Sequence, residues 1–430
     1  MRSATLFAVL FALPACGDPA PPPSILAYTE ADTGRIVVHE LGVGERASVT
    51  PAGPAGSLSV SPGGLEVAYG VVRSATDHAV FVADTATGAA REITPGAGAT
   101  LPDLRWKGPD WFIYRAADAT TSAAMVVAPG ASAARPLSPR MVDYGRETGS
   151  PTELAFVYSE CSSGDGLSCP RQLVVEQVDG SGRRVITTAD RFAPVGYTAD
   201  GARIIVHELR GNQVRLVARD LVGDGMVDLG PSDPSLEDRY PVPGLSRLSP
   251  DGTEVLTLRA GALLAVKVDG SGERTIAQAE PIRAGFTDAG DVVYESARGD
   301  FPDFTMDAYV AHGDTTVTLG ADVDGCFPVA VAPGGKRLAW SCATGTTVYG
   351  LPGGEVVWTD PQLVTVEPLG FGAADRGLVT AQETMATGGQ PLRFTLHLTT
   401  DDGVHQELGH AWAGQTPMGV VSLPSYGFAP

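Results

Sequence analysis

Positive charge is scarce in this chain of 430 residues. Lysine and arginine together number 30, against 50 aspartates and glutamates, so the formal net charge is −20. Such a chain repels phosphate backbones and anionic lipid headgroups, and we therefore expect no nucleic-acid partner. Solubility is a sufficient explanation for this acidity, which does not by itself indicate an acidic binding surface.

Long apolar runs are also lacking. The stretch from Ala4 to Leu13 has ten residues, too few for a helix that stays in a bilayer, but suited to the core of a secretory signal. Arg2 precedes it, and Cys16 follows where a polar, proline-rich segment begins. These features predict an exported protein. An ordinary signal peptide with an incidental cysteine remains the alternative.

The first 16 residues resemble a bacterial lipoprotein signal, in which a leucine stands three residues before an invariant cysteine. Leu13 and Cys16 fit this pattern, while Pro14 replaces the small residue that is usual there. The resemblance implies cleavage before Cys16 and a membrane anchor through the lipid on that cysteine. Gly17, in place of aspartate, favours the outer membrane or the cell surface over the inner membrane. The expected organisation is a signal peptide over 1–15, a tether over 16–24 and a folded domain over 25–430.

Cysteine is rare as well, with five in the whole chain. Without Cys16, four remain in two close pairs, which are Cys161 with Cys169 and Cys326 with Cys342. The first pair brackets a turn-rich loop. In the second, a three-residue loop over 333–335 would place residue 332 opposite 336 and Cys326 opposite Cys342, close enough to bridge. Two disulfides are predicted for an oxidising compartment, with four buried free thiols as the alternative. Zinc is less favoured, because no CxxC or paired histidine accompanies them.

Glycine and proline are abundant, 53 and 33 residues, which excludes long helices and suits short strands joined by turns. One sequence pattern recurs along the chain. It consists of an apolar strand, a turn with aspartate and glycine, and a second strand. Examples are "LSVSPGGLEVAYGV" from Leu58, "SRLSPDGTEVLTLR" from Ser246 and "VAVAPGGKRLAWSC" from Val329. Glycine supplies the positive φ that closes such a turn. A second pair of strands follows, as in the two "VDGSG" turns at 178–182 and 268–272.

The turns recur about every 45 residues, the length of a four-stranded propeller blade. With the S-P-D-G turn and the D-G-S-G turn, the chain from about residue 25 onward resembles the TolB-type, WD-repeat-like β-propeller. The resemblance implies an all-β fold, a single β-propeller of about eight four-stranded blades, with seven to nine possible. The segment "MGVVSLPSYGF" reads as a lone C-terminal strand, which we expect to pair with the N-terminal hairpin and close the ring.

Recognisable catalytic motifs are lacking as well. "VHEL" occurs at His39 and His207 without the second histidine of a zinc protease, and no G-x-S-x-G elbow occurs. Asp/Gly-rich stretches at 220–228 and 321–326 lack EF-hand spacing, and turn formation explains them better than calcium. The tryptophans are core candidates, although Trp106 or Trp111 could reach a rim and stack on a ligand. We therefore expect no catalytic residues, no metal and no cofactor.

These observations favour a lipid-anchored, monomeric scaffold for an unidentified envelope protein, because the sequence predicts a fold and a cellular location but shows no group of catalytic residues. A receptor for a small ligand or a glycan in the propeller channel is the first alternative. A propeller lyase or hydrolase is the second.

Overall fold

The computed structural model describes residues 25–429 apart from short gaps. The residues outside the description are 1–24, 42, 54, 62–63, 75, 99–103, 108–110, 118–121, 138–141, 144–154, 162–169, 178, 199, 234–244, 279–280, 299–304, 321–326, 333, 343, 364–365, 372–376, 385–392, 401, 403, 416–420, 425 and 430. The described part is built of β-strands, turns and bends, as predicted. It contains no helix long and apolar enough to cross a membrane.

Thirty-six strands follow one another along the described chain. The first fifteen are β1 (Ile25–Thr29), β2 (Ile36–Glu40), β3 (Gly44–Val49), β4 (Ala55–Val60), β5 (Glu66–Ser74), β6 (Asp77–Asp84), β7 (Ala90–Gly98), β8 (Leu104–Lys107), β9 (Trp111–Ala117), β10 (Ser122–Val127), β11 (Ala134–Pro136), β12 (Val142–Asp143), β13 (Ala155–Cys161), β14 (Arg171–Gln177) and β15 (Arg184–Ala189). The next eleven are β16 (Arg191–Tyr197), β17 (Arg203–Arg210), β18 (Gln213–Asp220), β19 (Met226–Pro231), β20 (Glu254–Arg259), β21 (Ala262–Lys267), β22 (Glu273–Ala277), β23 (Pro281–Phe286), β24 (Val292–Arg298), β25 (Thr305–His312) and β26 (Thr315–Gly320). The last ten are β27 (Phe327–Val331), β28 (Arg337–Cys342), β29 (Gly345–Gly350), β30 (Val356–Asp360), β31 (Val366–Phe371), β32 (Leu378–Thr384), β33 (Arg393–Thr399), β34 (His405–Gln415), β35 (Val421–Pro424) and β36 (Tyr426–Ala429).

These strands form nine antiparallel groups, which we call sheets 1 to 9 in chain order. Sheet 1 is β36-β1-β2-β3, sheet 2 is β4–β7 and sheet 3 is β8–β11; the parallel pair Gly98–Ala117 links sheets 2 and 3. Sheets 4, 5, 7 and 8 are β12–β15, β16–β19, β23–β26 and β27–β30, and sheet 9 is β31–β35. Sheet 6 is β20–β22, with residue 248 bridged to Val255 in the first-strand position. The strands of each sheet are called first to fourth in this order; in sheet 1 the first strand is β36, and in sheet 9 a fifth strand, β35, follows the fourth.

The hydrophobic core lies between the sheets. Nine clusters of buried side chains lie between the sheets, and eight of them join two sheets that are consecutive in the chain. The ninth cluster joins sheet 1, through Leu26 and Tyr28, to sheet 9, through Val379 and Leu396. The sheets therefore pack in a cyclic order. The predicted number was about eight, with nine as an alternative. The ninth sheet of the described chain arises where β36 joins the N-terminal hairpin.

The second strand of a sheet is buried on both faces, which explains its unbroken apolar sequence. In β17, Ile204 and Val206 face sheet 4, while Ile205 between them faces sheet 6, and all three are fully buried. Successive side chains of a strand point to opposite faces, so each face packs against a different neighbour. A single sheet of this kind leaves both faces uncovered, and it is stable only between two others.

The hairpin of sheet 8 differs from the prediction in two ways that cancel. Ala332 N–H donates to the Arg337 carbonyl at 2.9 Å, and Val331 faces Leu338, so the turn is one residue longer than the expected loop. A bulge between Pro328 and Ala330 then takes up the extra residue. Phe327 therefore faces Ser341, which is the register that the prediction requires. Cys326 lies outside the described residues, and its pairing with Cys342 stays a prediction.

The C-terminal segment is two strands instead of the expected lone strand. β35 pairs with β34 inside sheet 9, and β36 pairs with β1 from Ile25–Ala429 to Tyr28–Tyr426. The first and last described strands thus share sheet 1.

Candidate interaction surface

Two kinds of turn lie at the same end of the sheets. Strands of an antiparallel sheet alternate in direction, so the turn between the first and second strands lies beside the turn between the third and fourth. The two are hydrogen-bonded, because Val268 N–H donates to the Thr253 carbonyl at 2.9 Å and Leu351 N–H donates to the Lys336 carbonyl at 2.8 Å. Gly334 N–H donates to Asp288 Oδ2 in the adjacent sheet at 3.2 Å. We call this end the turn end.

A serine or threonine hydroxyl closes the first turn of four sheets. Ser249 Oγ accepts the Glu254 N–H at 2.8 Å, and the same bond recurs from Glu66 to Ser61, from Arg203 to Thr198 and from Asp291 to Thr287. The hydroxyl satisfies a backbone donor where the hairpin opens. Sheet 8 has Ala332 at this position. The hydroxyl residue stands three positions before the turn glycine, so this spacing is the sequence signal for its role.

Glycine is required in the first turn of sheet 8 for two reasons. Gly335 has φ +69°, a conformation that other residues rarely adopt. A Cβ at this position would also lie 2.5 Å from the backbone nitrogen of Ala289 in the first turn of sheet 7. The close approach brings the first turns of sheets 7 and 8 into direct contact.

Aspartates in the turns carry fixed negative charge. Asp251 accepts hydrogen bonds from the Ser249 hydroxyl at 2.6 Å and from Thr253, and these bonds lower the pKa of its carboxyl group. Hydrogen bonds from turn donors also lower the pKa of five further aspartates at this end, Asp84, Asp179, Asp200, Asp269 and Asp402. A carboxylate that accepts several donors stays ionised, so these six aspartates are charged at neutral pH.

The exposed large apolar side chains of the described residues lie at the turn end. There are eight, in the two kinds of turn or in the first two residues of a fourth strand: Val43, Leu65, Val185, Val222, Met226, Val356, Val357 and Val404. They form two arcs, one on sheets 4 and 5 and one on sheets 8, 9, 1 and 2. Single exposed apolar residues are ordinary, but their confinement to one end is a property of the surface.

A buried acid lies between sheets 7 and 8, away from this surface. Glu295 in β24 is 1% exposed, and its carboxylate lies 3.4 Å from the Arg283 guanidinium without accepting a hydrogen bond. Burial raises the pKa of Glu295 to about 7, and Arg283 opposes the rise. Strand register aims both side chains at sheet 8, because Arg283 and Glu295 are paired and Val293 packs on that side. A carboxyl group with such a pKa changes charge near neutral pH.

Histidines gather between sheets 8 and 9. The His397 and His405 rings stack with centroids 5.0 Å apart, and His405 Nδ1 lies 3.0 Å from Asp360 Oδ2 of sheet 8. Neither ring nitrogen of His397 has a hydrogen-bond partner. Burial lowers the pKa of His397, and the neighbouring His405 lowers it further. The described residues contain no group of three or more histidines, cysteines or acids placed to hold a metal ion.

The residues predicted from the sequence are scattered over the fold. Cys161 ends β13 opposite Arg171, and Cys342 ends β28 opposite Gly345. Cys16, Cys169 and Cys326 lie outside the described residues, so the lipid site and both disulfides stay predictions. His39 and His207 lie in strands β2 and β17, as expected.

The tryptophans of sheet 3 are partly buried and pack against the core. Trp106 and Trp111 pack against two different core clusters, on sheet 2 and sheet 4 respectively. The described surroundings of these rings therefore explain them as packing, and the ligand-stacking alternative gains no support from their position.

No protein-family model matches the chain, and no curated protein matches it in sequence. Dipeptidyl peptidase 4 of Porphyromonas gingivalis is 11% identical with a TM-score of 0.56, over 89% of this chain and 64% of that one. A eukaryotic initiation factor is 11% identical with a TM-score of 0.54, over 90% and 97%. TolB of Acinetobacter baumannii is 16% identical with a TM-score of 0.33, over 60% and 63%, so the match spans less than two thirds of TolB. At these identities the likeness concerns the fold alone, and the chain is an all-β protein with the β-propeller architecture.

Proposed function

We propose that this protein is a lipid-anchored, non-catalytic scaffold of the bacterial cell envelope, which binds a protein partner through its turn end. The single observation that supports the proposal is that the eight exposed large apolar side chains of the described residues are confined to that end. Apolar side chains at the centre of a contact, with charges around them, are the usual composition of a protein–protein interface.

The anchor rests on the N-terminal sequence. Leu13 and Cys16 fit the lipoprotein pattern, and the residues after them form a proline-rich tether to the folded part. A lipid on Cys16 would hold the protein at the membrane, with outer-membrane or surface display favoured by Gly17.

The rigidity of the surface suits a scaffold. Turn hydrogen bonds, glycine close approaches and ordered aspartates fix the loops that carry the apolar side chains. A partner that docks on fixed loops pays little ordering entropy, so a modest contact area gives useful affinity.

The test is chemical crosslinking in intact envelopes with Cys16 retained, followed by capture of the tagged protein. Two variants each place aspartates on one arc, Val43→Asp/Leu65→Asp/Val404→Asp and Val185→Asp/Val222→Asp/Met226→Asp. The control is Gln213→Asp, an exposed first residue of β18 at the opposite end. We expect one arc variant to lose a crosslinked protein that the wild type and the control retain. Identical crosslinked proteins in all four samples would contradict the proposal.

A further inference from the structure

The N-terminal segment joins the fold at the turn end. Ile25 begins β1 and pairs with Glu40 of β2, and the turn after β2 holds Val43, whose N–H donates to the Glu40 carbonyl at 3.1 Å. On its other side Ile25 lies against the first turn of sheet 2, where a Cβ on Gly64 would be 2.5 Å from Ile25 Cγ1. The residues that precede Ile25, including Cys16, are therefore connected to the fold at this end.

Three exposed apolar side chains lie in the sheets around this connection. Val43 in sheet 1, Leu65 in sheet 2 and Val404 in sheet 9 are 78%, 60% and 56% exposed. Sheet 1 packs between sheets 9 and 2, so the three side chains flank the position of Ile25. We call these three residues the tether patch. The other arc, on sheets 4 and 5, lies on the far side of the cyclic order of sheets.

The length of the tether limits the distance between this patch and a lipid on Cys16. Ile25 follows Cys16 by nine residues, which span at most about 30 Å when extended. Reaching past sheet 1 to the opposite end would take about 10 Å across its third and fourth strands and about 20 Å along the six-residue β3. That path uses the whole tether. With the proposed lipid in a membrane, the turn end near sheets 9, 1 and 2 therefore faces that membrane.

The tether also makes a small contact effective. Three apolar side chains bind a bilayer surface only weakly, because little apolar area is transferred out of water. A short tether makes the contact intramolecular, with an effective concentration in the millimolar range. A contact too weak to recruit the free protein is therefore populated in the anchored protein.

Charge decides which headgroups fit the patch. Asp402 lies two residues before Val404, and Thr85, which follows Asp84, donates its N–H to the Leu65 carbonyl at 2.9 Å. Hydrogen bonds from turn residues lower the pKa of both aspartates, so both are ionised at neutral pH. Anionic headgroups repel fixed carboxylates. The patch therefore fits a bilayer surface of zero net charge.

We propose that the tether patch inserts into the headgroup region of the membrane that holds the lipid anchor, on a bilayer surface of zero net charge. Sheets 9, 1 and 2 then stand against the bilayer, and the arc on sheets 4 and 5 stays free for the protein partner. This inference rests on the proposed lipid anchor, and it names what each part of the turn end contacts.

The experiment uses the lipidated protein, inserted from detergent into preformed phosphatidylcholine vesicles so that it faces outward. Val43 and Val222 are a matched pair, because both are valines in turns of the turn end and are 78% and 84% exposed. Each is replaced in turn by cysteine and labelled with the fluorophore NBD, and labelled wild type is the blank for the other cysteines. Added dithionite reduces NBD that is exposed to water. We expect reduction of the Val43→Cys label to be at least about fivefold slower than reduction of the Val222→Cys label.

Substitutions in the rest of the patch test the cause of this protection. Leu65→Asp/Val404→Asp in the Val43→Cys protein should bring its reduction rate within about twofold of the Val222→Cys rate, because the contact loses apolar side chains and gains charge. Vesicles with about a third of phosphatidylglycerol should also speed reduction of the Val43→Cys label. Urea unfolding of each variant checks that the fold is intact.

The matched control is Val185→Asp/Met226→Asp in the Val222→Cys protein, which changes the other arc and should leave the reduction rate unchanged. Equal reduction of the Val43→Cys and Val222→Cys labels would overturn the inference, and so would a Val43→Cys label whose protection survives the aspartate substitutions. If the labels react equally and the aspartate variant of the tether patch loses a crosslinked protein in envelopes, a protein occupies the patch instead.

Failure of the anchor gives a different result. Wild-type protein that does not float with the vesicles has no lipid anchor, and the inference then fails together with that part of the proposed function. Protein that floats while its two labels react equally keeps its anchor and loses only the membrane contact. Crosslinking through the arc on sheets 4 and 5 tests the scaffold function independently of both.

Discussion

Replacing the buried acid between sheets 7 and 8 by its neutral amide should change how stability depends on pH. Glu295 is 1% exposed and lies 3.4 Å from Arg283, and burial raises its pKa from 4.5 to about 7. A folded-state pKa above the unfolded value means that the protonated form is favoured in the fold. The stabilising contribution is therefore complete below about pH 4.5, and it is lost as the pH rises through about 7. Glu295→Gln has no such loss.

The size of the effect follows from the shift. A difference of about 2.5 pKa units, at about 1.4 kcal/mol per unit, gives about 3 kcal/mol between acid and alkaline pH. Replacing the carboxyl group by an amide adds an offset that does not depend on pH, whereas the ion pair with Arg283 forms only when Glu295 is ionised and is already part of its pKa. The slope of the difference between variant and wild type is thus the quantity to measure. Arg283→Gln should raise the midpoint, because Arg283 opposes the rise in the pKa of Glu295.

Urea unfolding of wild type and Glu295→Gln at pH 4.5 to 9 is the assay. The variant should gain stability relative to wild type between about pH 5 and 8. His397, whose pKa is lowered by burial, acts in the opposite direction: its contribution is complete above about pH 6.5 and declines as the pH falls. That contribution is common to both proteins and cancels in the difference. A parallel pair of curves would refute the buried-acid reasoning. Glu66→Gln, which removes a more exposed partner of Arg91, serves as the control.

Four further outcomes are expected. Cys16→Ser should move the protein from the detergent and membrane fraction to the soluble fraction or leave it uncleaved, and equal soluble behaviour of both forms would defeat the lipoprotein prediction. Deletion of 415–430 should expose the edge of β1 and cause aggregation or loss of cooperative unfolding in a urea titration, whereas unchanged stability would disprove the pairing of β36. Ser249→Ala should lower the free energy of unfolding by about 1 kcal/mol, since Glu254 N–H loses its acceptor, and Ala332→Ser should not share this loss. Peptide mapping without reduction should join Cys326 to Cys342 and Cys161 to Cys169, and a long-range pair would contradict the hairpin register.

The repeat was readable from the sequence because its signals are local. Turn glycines such as Gly252, with φ +64°, act within four residues, and the apolar run that follows is needed wherever a strand is buried on both faces. The local nature of these signals also explains why the turn predicted for the hairpin of sheet 8 was one residue too short. The longer turn and the bulge at residue 329 depend on how the first strand packs between its neighbours, and the sequence pattern does not show this.

The candidate surfaces were not readable in the same way. Val43, Val222 and Val404 stand beside glycines in turns, but the sequence does not show whether they are exposed, since that depends on which turn a neighbouring sheet covers. Glu295 likewise lies in an ordinary strand sequence, and its pKa is raised because sheet 8 removes it from water.

Composition, turn chemistry and period therefore determined by themselves that this chain is all-β and is built of repeated, mostly four-stranded sheets, and the N-terminal residues predict an export signal. These properties depend on residues close together in the chain. The number of described sheets, the single end that carries the exposed large apolar residues of the described chain, and the buried acid were decided by tertiary structure. Each of them depends on which sheets pack side by side, a relation between residues far apart in the chain that local sequence does not encode.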